Sequence, residues 1–254
     1  MIPIKDNIPT DRFPIVTVAL IVVNVIAYLL AIRHGGSFFS GPDTQEVVKY
    51  GAIPFTFTHS GEHCTLIQGG TAIGCAKAAL PNTIPTWETV FTSMFMHASF
   101  IHIGGNMLFL WIFGNNVEDS MGPIKYVFFY LLGGVAALAL QVVIGPNSAV
   151  PTLGASGAIA AVLGGYIVLY PRARVLTLVF IILFFTVIEL PAVVMLGIWF
   201  AEQALFAAAN LTNPTGGGGG VAYFAHVGGF AFGLLTIRLL ATKRKSVPPR
   251  LPVY

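Results

Sequence analysis

Gly154-Ala155-Ser156-Gly157-Ala158-Ile159-Ala160-Ala161-Val162-Leu163-Gly164-Gly165 places a single hydroxyl in a run of glycine, alanine and aliphatic residues. Small-residue strips of this kind let the backbones of membrane helices approach closely. A second stretch has the same character: Ala225-His226-Val227-Gly228-Gly229, continuing to Gly233 in GxxxG spacing. His226 lies three residues before Gly229, on the same side of the helix. An ionisable residue inside a span is costly to keep there, which makes it a functional-site candidate. A serine at the same depth would complete a nucleophile and base pair.

The composition supports a membrane setting. The chain is 56% hydrophobic and 9% charged, where a soluble domain carries about 25% charged residues. Six apolar stretches are long enough to be read as spans: roughly 13–32, 98–114, 124–144, 154–170, 190–209 and 221–241. The expected fold is therefore an all-α polytopic membrane protein with six transmembrane helices, forming one membrane domain over 1–242. The second and fourth spans are short, as expected of helices that start below the bilayer surface. A further apolar stretch, Val175–Leu190, raises a seventh span as an alternative. It is short, β-branched and aromatic, and followed by Pro191, so we read it as an interfacial or re-entrant connection.

Charge placement sets the orientation. With the N-terminus inside, the inner segments hold Lys5, Arg12, Lys125, Arg172, Arg174, Lys243, Arg244, Lys245 and Arg250. The longer outer segments hold Arg33, Lys49 and Lys77. The positive-inside rule then gives N-in, C-in topology. The first apolar run has no small-residue cleavage site and reads as a retained span rather than a signal peptide. Residues 243–254 read as a short disordered cytoplasmic tail whose lysines are topology signals only. The net charge of +3 is too small and dispersed to point to nucleic acid. The expected location is a prokaryotic inner or cytoplasmic membrane, with the lipid bilayer as a partner.

The large outer loop, 35–97, holds both cysteines. Outside the cytoplasm a Cys64–Cys75 disulfide is the first reading. The alternatives are a zinc site from His59, His63, Cys64 and Cys75, whose spacing matches no familiar module, or two unpaired thiols. The loop ends in an amphipathic stretch, Thr86-Trp87-Glu88 to Met96, suited to the interface or to leading into the second span. The outer loop 210–220 contains Gly216–Gly220 and borders the helix of His226. It is a candidate mobile lid, against a plain flexible linker.

In this topology the second, fourth and sixth spans run from outside to inside, with their polar residues near the outer ends. His102 and Asn106 are four apart and stack on one helical face. Ser156 sits at the first turn of its span, and His226 about five residues into its own. Glu118, Asp119, Glu189 and Glu202 lie nearer the inner side or mid-span, so no carboxylate stands at the site's depth. The arrangement reads as a dyad: His226 takes the Ser156 proton and returns it to the leaving amine. His102, Asn106 and the Ser156 N–H are available to an oxyanion.

At these residues the chain resembles the rhomboid intramembrane serine proteases. The signatures are Gly154-x-Ser156-Gly157, Ala225-His226-x-x-Gly229-x-x-x-Gly233, His97-x4-His102-x3-Asn106 and Gly114-x-x-Val117-Glu118. The resemblance implies a six-helix core with Ser156 as nucleophile, His226 as base, and His102 and Asn106 in the oxyanion hole. It implies a supporting role for His97, no cofactor and no metal, and single-span membrane proteins as substrates, cut near the outer surface. One departure stands out. Family members often carry an aromatic residue four positions after the serine, stacked on the histidine, and here that position is Ala160. The alternatives are other support from Tyr223 or Phe224, or a His226 that is held less rigidly.

Two other function classes remain at this point. A transporter predicts polar residues at several depths and internal repeats; neither is evident. A non-catalytic rhomboid-like binder predicts loss of the serine or histidine, and both are present.

Overall fold

The computed structural model describes residues 1–67, 73–77, 84–181, 184–212, 221–242 and 244–245. Helix α1, Ile15–Ala31, begins behind Pro14 without a side-chain cap of its own. The first N–H groups of any helix lack intrahelical acceptors. Here Val16 and Thr17 donate theirs to Glu118, at 3.0 and 2.8 Å, and the Thr17 hydroxyl adds a third bond at 2.7 Å. Glu118 is buried, so a residue over a hundred positions away holds α1 in place. The Val117-Glu118 signature is in this sense a helix cap made in three dimensions.

The outer loop follows, with short helices α2, Thr44–Tyr50, and α3, Pro54–Thr58. Strands β2, His63–Leu66, and β3, Ile73–Ala76, pair antiparallel with Cys64 opposite Cys75. The two sulfurs are joined in a disulfide, which leaves no thiolate for the zinc alternative. Helix α4, Thr86–Thr92, and the turn to Phe95 then meet the next helix at 80°. Trp87 is 67% exposed on α4.

The next helical rod comprises α5, Phe100–Phe109, a π-helical turn Leu110–Gly114, and α6, Asn115–Met121. It is followed by α7, Pro123–Ile144, and α8, Ser156–Leu169. Last come α9, Ala192–Thr212, and α10, Tyr223–Leu240. Helix α8 is the buried centre: Ala160, Ala161, Val162, Leu163 and Tyr166 have no exposed surface. Among the described residues three helices, α7, α9 and α10, are long and apolar enough to cross a membrane, or four if the bent pair 86–95 and 100–121 is one span. The shorter apolar helices α1 and α8 have 17 and 14 residues.

The expectation of an all-α protein is corrected. Strands β1, Ile2–Asp6, β4, Arg174–Ile181, and β5, Phe184–Pro191, form an antiparallel sheet in the order β1-β4-β5. The 175–190 stretch is a β-hairpin, not a seventh span. Its β-branched and aromatic residues favour a pleated surface, and the N-terminal strand supplies the third partner that stabilises it. Val175 and Thr177 are buried at its base. Phe180, Phe184 and Phe185 are 59%, 78% and 72% exposed towards its turn.

Of the expected tail, residues 244 and 245 are described. Arg244 Nε donates to the Leu169 carbonyl at the end of α8, at 2.8 Å. Lys245 Nζ pairs with Asp119 at 2.5 Å and Asp11 at 3.1 Å. Lys245 is therefore more than a topology signal: it ties the two ends of the chain to the same end of the molecule. Lys243 and residues 246–254 lie outside the described residues.

Candidate active site

Ser156 is the first residue of α8 and His226 lies in the first turn of α10. The small-residue strips bring these helices into backbone contact. A Cβ built on Gly229 would strike the Gly157 carbonyl oxygen, and one on Gly233 would strike that of Ala161. At this separation His226 Nε2 stands 2.8 Å from Ser156 Oγ, within the reach a general base needs. The start of α10 is held by Gln141 of α7, whose Oε1 accepts the Ala225 N–H at 3.2 Å.

The turn before Ser156 is built around Gly154. Its φ of +111° lies where only glycine is comfortable. Space also requires glycine: a Cβ there would lie 2.7 Å from His102 Nε2 and 3.5 Å from Asn106 Nδ2. The Gly154 N–H donates to the Ser93 carbonyl at 2.8 Å. His97 is fully buried beside this turn. Its Nδ1 lies 3.2 Å from the Phe95 carbonyl, and its Nε2 accepts the Ala155 N–H at 3.4 Å. With Nδ1 carrying the proton, one ring satisfies both bonds. His97 thus touches the backbone next to the serine and not the serine itself.

Helix α5 presents the other two polar side chains. Ser99 caps it, its hydroxyl accepting the His102 N–H at 3.2 Å. His102 Nδ1 accepts the Ala98 N–H at 3.3 Å, which leaves a protonated Nε2 facing Gly154. Asn106 Nδ2 is buried and has no hydrogen-bond partner. A buried donor without an acceptor is costly, and this one faces the turn that carries Ser156. The Ser156 N–H, at the first turn of its helix, also lacks an intrahelical acceptor. The His102 and Asn106 side chains both approach Gly154, two residues before Ser156. They line a cavity of about 670 Å³ together with Ser156, His226 and Trp199.

Two neighbours of His226 escaped the sequence reading. Gln203 of α9 is buried, with Oε1 2.8 Å from His226 Nδ1. Trp199, one turn earlier on α9, has its ring 5.9 Å from the imidazole. Tyr223 approaches edge-on at 6.4 Å. Ala160 is fully buried, so the aromatic flank comes from α9 and from Tyr223. The four-residue spacing of Trp199 and Gln203 on one helical face was the available signal. Nothing in the sequence says which neighbour that face meets. Residues 213–220, and with them most of the candidate lid, lie outside the described residues. Among the described residues no cluster of three His, Cys, Asp or Glu could hold a metal ion.

Fold and site together describe an integral membrane protein, mostly helical, with a serine and a histidine paired in a cavity between its helices. The Rhomboid domain model matches residues 85–243, and the chain belongs to the rhomboid family. It is 32% identical over 159 residues to Rhomboid protein 1, mitochondrial, of Saccharomyces cerevisiae, covering 58% of this chain and 40% of that protein. It is 36% identical over 86 residues to Rhomboid-like protein 11, chloroplastic, of Arabidopsis thaliana, covering 34% and 30%. It is 33% identical over 94 residues to the human Presenilin-associated rhomboid-like protein, mitochondrial, covering 36% and 24%. The matches thus span less than half the length of each of these relatives.

Proposed function

We propose that this chain is an intramembrane serine endopeptidase that cleaves single-span membrane proteins through a Ser156–His226 dyad. The observation that carries this reading is the 2.8 Å contact between Ser156 Oγ and His226 Nε2, beside a buried Asn106 amide that lacks any acceptor. In the first step Ser156 Oγ attacks the scissile carbonyl carbon while its proton passes to His226 Nε2. His102, Asn106 and the Ser156 N–H donate to the tetrahedral oxyanion. The imidazolium then protonates the amide nitrogen, the C–N bond breaks, and the amine leaves. Water, deprotonated by His226, hydrolyses the acyl-enzyme and frees Ser156.

The membrane arrangement we propose has six spans, formed by α1, α5–α6, α7, α8, α9 and α10, with both termini inside. It is supported by the charge bias and by the Lys245–Asp11 pair, which joins the two ends of the chain. At about 1.5 Å per residue, α8 is roughly 20 Å long. That is short for a full crossing, and a helix starting below the surface would set Ser156 in a recess open to water. The same topology puts the Cys64–Cys75 disulfide on the outer, oxidising side. Partners are then lipid and the substrate's own span, with no role for nucleic acid or a cofactor. For the membrane of residence we keep the prokaryotic cell membrane; the organelle names of the relatives describe those proteins.

The test is labelling of the purified protein in detergent by a fluorophosphonate probe, alongside cleavage of a single-span reporter in proteoliposomes. Labelling at Ser156 that is lost in Ser156→Ala and His226→Ala, with cleavage lost in parallel, is the expected result. Full cleavage by Ser156→Ala would overturn the dyad.

A further inference from the structure

The sequence has no carboxylate at the depth of His226, yet the imidazole has a partner on its far side. Gln203 Oε1 lies 2.8 Å from Nδ1 while Ser156 Oγ lies 2.8 Å from Nε2. Both His226 and Gln203 are buried. A neutral imidazole carries one proton, and the hydrogen bond at one nitrogen decides which nitrogen is basic. An amide oxygen can only accept, so Gln203 Oε1 calls for the proton on Nδ1 and leaves Nε2 unprotonated, facing the serine. Once Nε2 takes the serine's proton, the same oxygen stabilises the positive ring.

We infer that Gln203 is the positioning residue of this site, doing with a neutral amide what a carboxylate does in a triad. This deepens the serine–histidine reading and rests on it. Gln203 is on α9 with Trp199, so the hydrogen bond to His226 and the aromatic ring beside it come from one helix.

The groups around the ring make the test readable. The titratable ones are His102 from α5 and Tyr223 on its own helix. Helix α8 presents Ser156, α7 presents Gln141 to the adjoining Ala225 N–H, and Glu202 on α9 is exposed. No carboxylate among the described residues contacts the ring, so one introduced at 203 acts alone.

The experiment uses the full chain with Gln203→Leu and Gln203→Glu. Readouts are kcat and KM against pH on a single-span reporter, and the 15N shifts of His226 in micelles. Gln203→Leu is expected to lower kcat about 10–100-fold, the range found when a bond that orients a metal-bound histidine is removed, with KM unchanged. Gln203→Glu is expected to retain turnover and move the acid limb of the kcat profile about 1–3 pH units higher, because a carboxylate favours the protonated ring. In the wild type the shifts should report a proton on Nδ1, lost to a mixture in Gln203→Leu. Wild-type kcat and acid limb in Gln203→Leu, or an unmoved limb in Gln203→Glu, would overturn the inference. If Gln203→Leu fails to insert, the isosteric Gln203→Glu carries the test alone. If the wild type cleaves nothing, the protease reading fails, while the 15N shifts still decide whether Gln203 sets the tautomer.

Discussion

The backbone of Gly229 lies directly against the carbonyl of Gly157, and that contact sets the distance at which His226 meets Ser156. Without side chains between them, α8 and α10 approach closely enough for a hydrogen bond between residues on two helices. The small-residue strips are thus part of the chemistry as well as of the packing.

Gly229→Ala forces a methyl group onto the Gly157 carbonyl, and the helices must part. Overpacking of this kind costs about 1–3 kcal/mol. The expected result is a lowered melting temperature in detergent with a larger proportional loss of reporter cleavage. A variant with wild-type cleavage would show that the site tolerates a wider spacing.

Asn106→Ala removes a buried donor that has no partner in the resting protein. It is expected to lower kcat roughly 10–1000-fold, in the manner of an oxyanion donor, with KM little changed. Because Nδ2 donates to nothing at rest, the melting temperature should hold or rise. A loss confined to KM would make Asn106 a substrate contact instead.

Glu118→Ala strips the cap from α1 by deleting three hydrogen bonds to Val16 and Thr17. The orphaned donors are expected to cost about 1.5–3 kcal/mol, read as a drop in thermal stability. Proteolysis should become faster near residues 13–17. Unchanged protection of that segment would mean α1 is held by lipid and apolar packing alone.

Asp6 gives the protein a pH-dependent term at its sheet. Burial raises its pKa from 3.8 to about 6, against the opposing hydrogen bond from the Tyr166 hydroxyl. Asn116 Nδ2 also donates to it, at 2.7 Å. The folded state then binds more protons than the unfolded one between about pH 4 and 6, so stability from this group falls as pH rises through that window and is level above it. Asp6→Asn should remove this slope. Its melting temperature relative to wild type is expected to climb between pH 4 and 6. Parallel curves for the two proteins would refute the assignment.

The β4–β5 hairpin exposes Phe180, Phe184 and Phe185 on the segment between two apolar helices. In the proposed topology these rings enter the inner leaflet, since an aqueous aromatic cluster of this kind is unfavourable. Phe184→Trp, placed in a background with the three native tryptophans replaced by phenylalanine, should be quenched by brominated lipids. Emission typical of water and insensitive to those lipids would place the hairpin off the membrane.

Much of this was legible along the chain. The apolar stretches near 13–32, 124–144, 190–209 and 221–241 match α1, α7, α9 and α10 because a helix satisfies its own backbone and its length can be counted. Ser156, His226, His102 and Asn106 were legible because polar groups are few in such segments. The sheet was not: Val175–Leu190 has an apolar content that suits a span or a strand, and only pairing with Ile2–Asp6 separates them. Gln203 was passed over for a similar reason, as an uncharged residue on a helix whose orientation its own sequence leaves open.

By itself the sequence determined that this is a helical membrane protein of the rhomboid family, and it marked Ser156, His226, His102 and Asn106 as candidates, because composition, helical spacing and local motifs are properties of neighbouring residues. Which residues meet across helices was decided by the tertiary structure alone. The capping of Thr17 by Glu118, the pairing of strand β1 with β4, and the hold of Gln203 on His226 each join segments far apart in the chain. Such contacts depend on the rotation and depth of whole packed elements, and no local pattern encodes those.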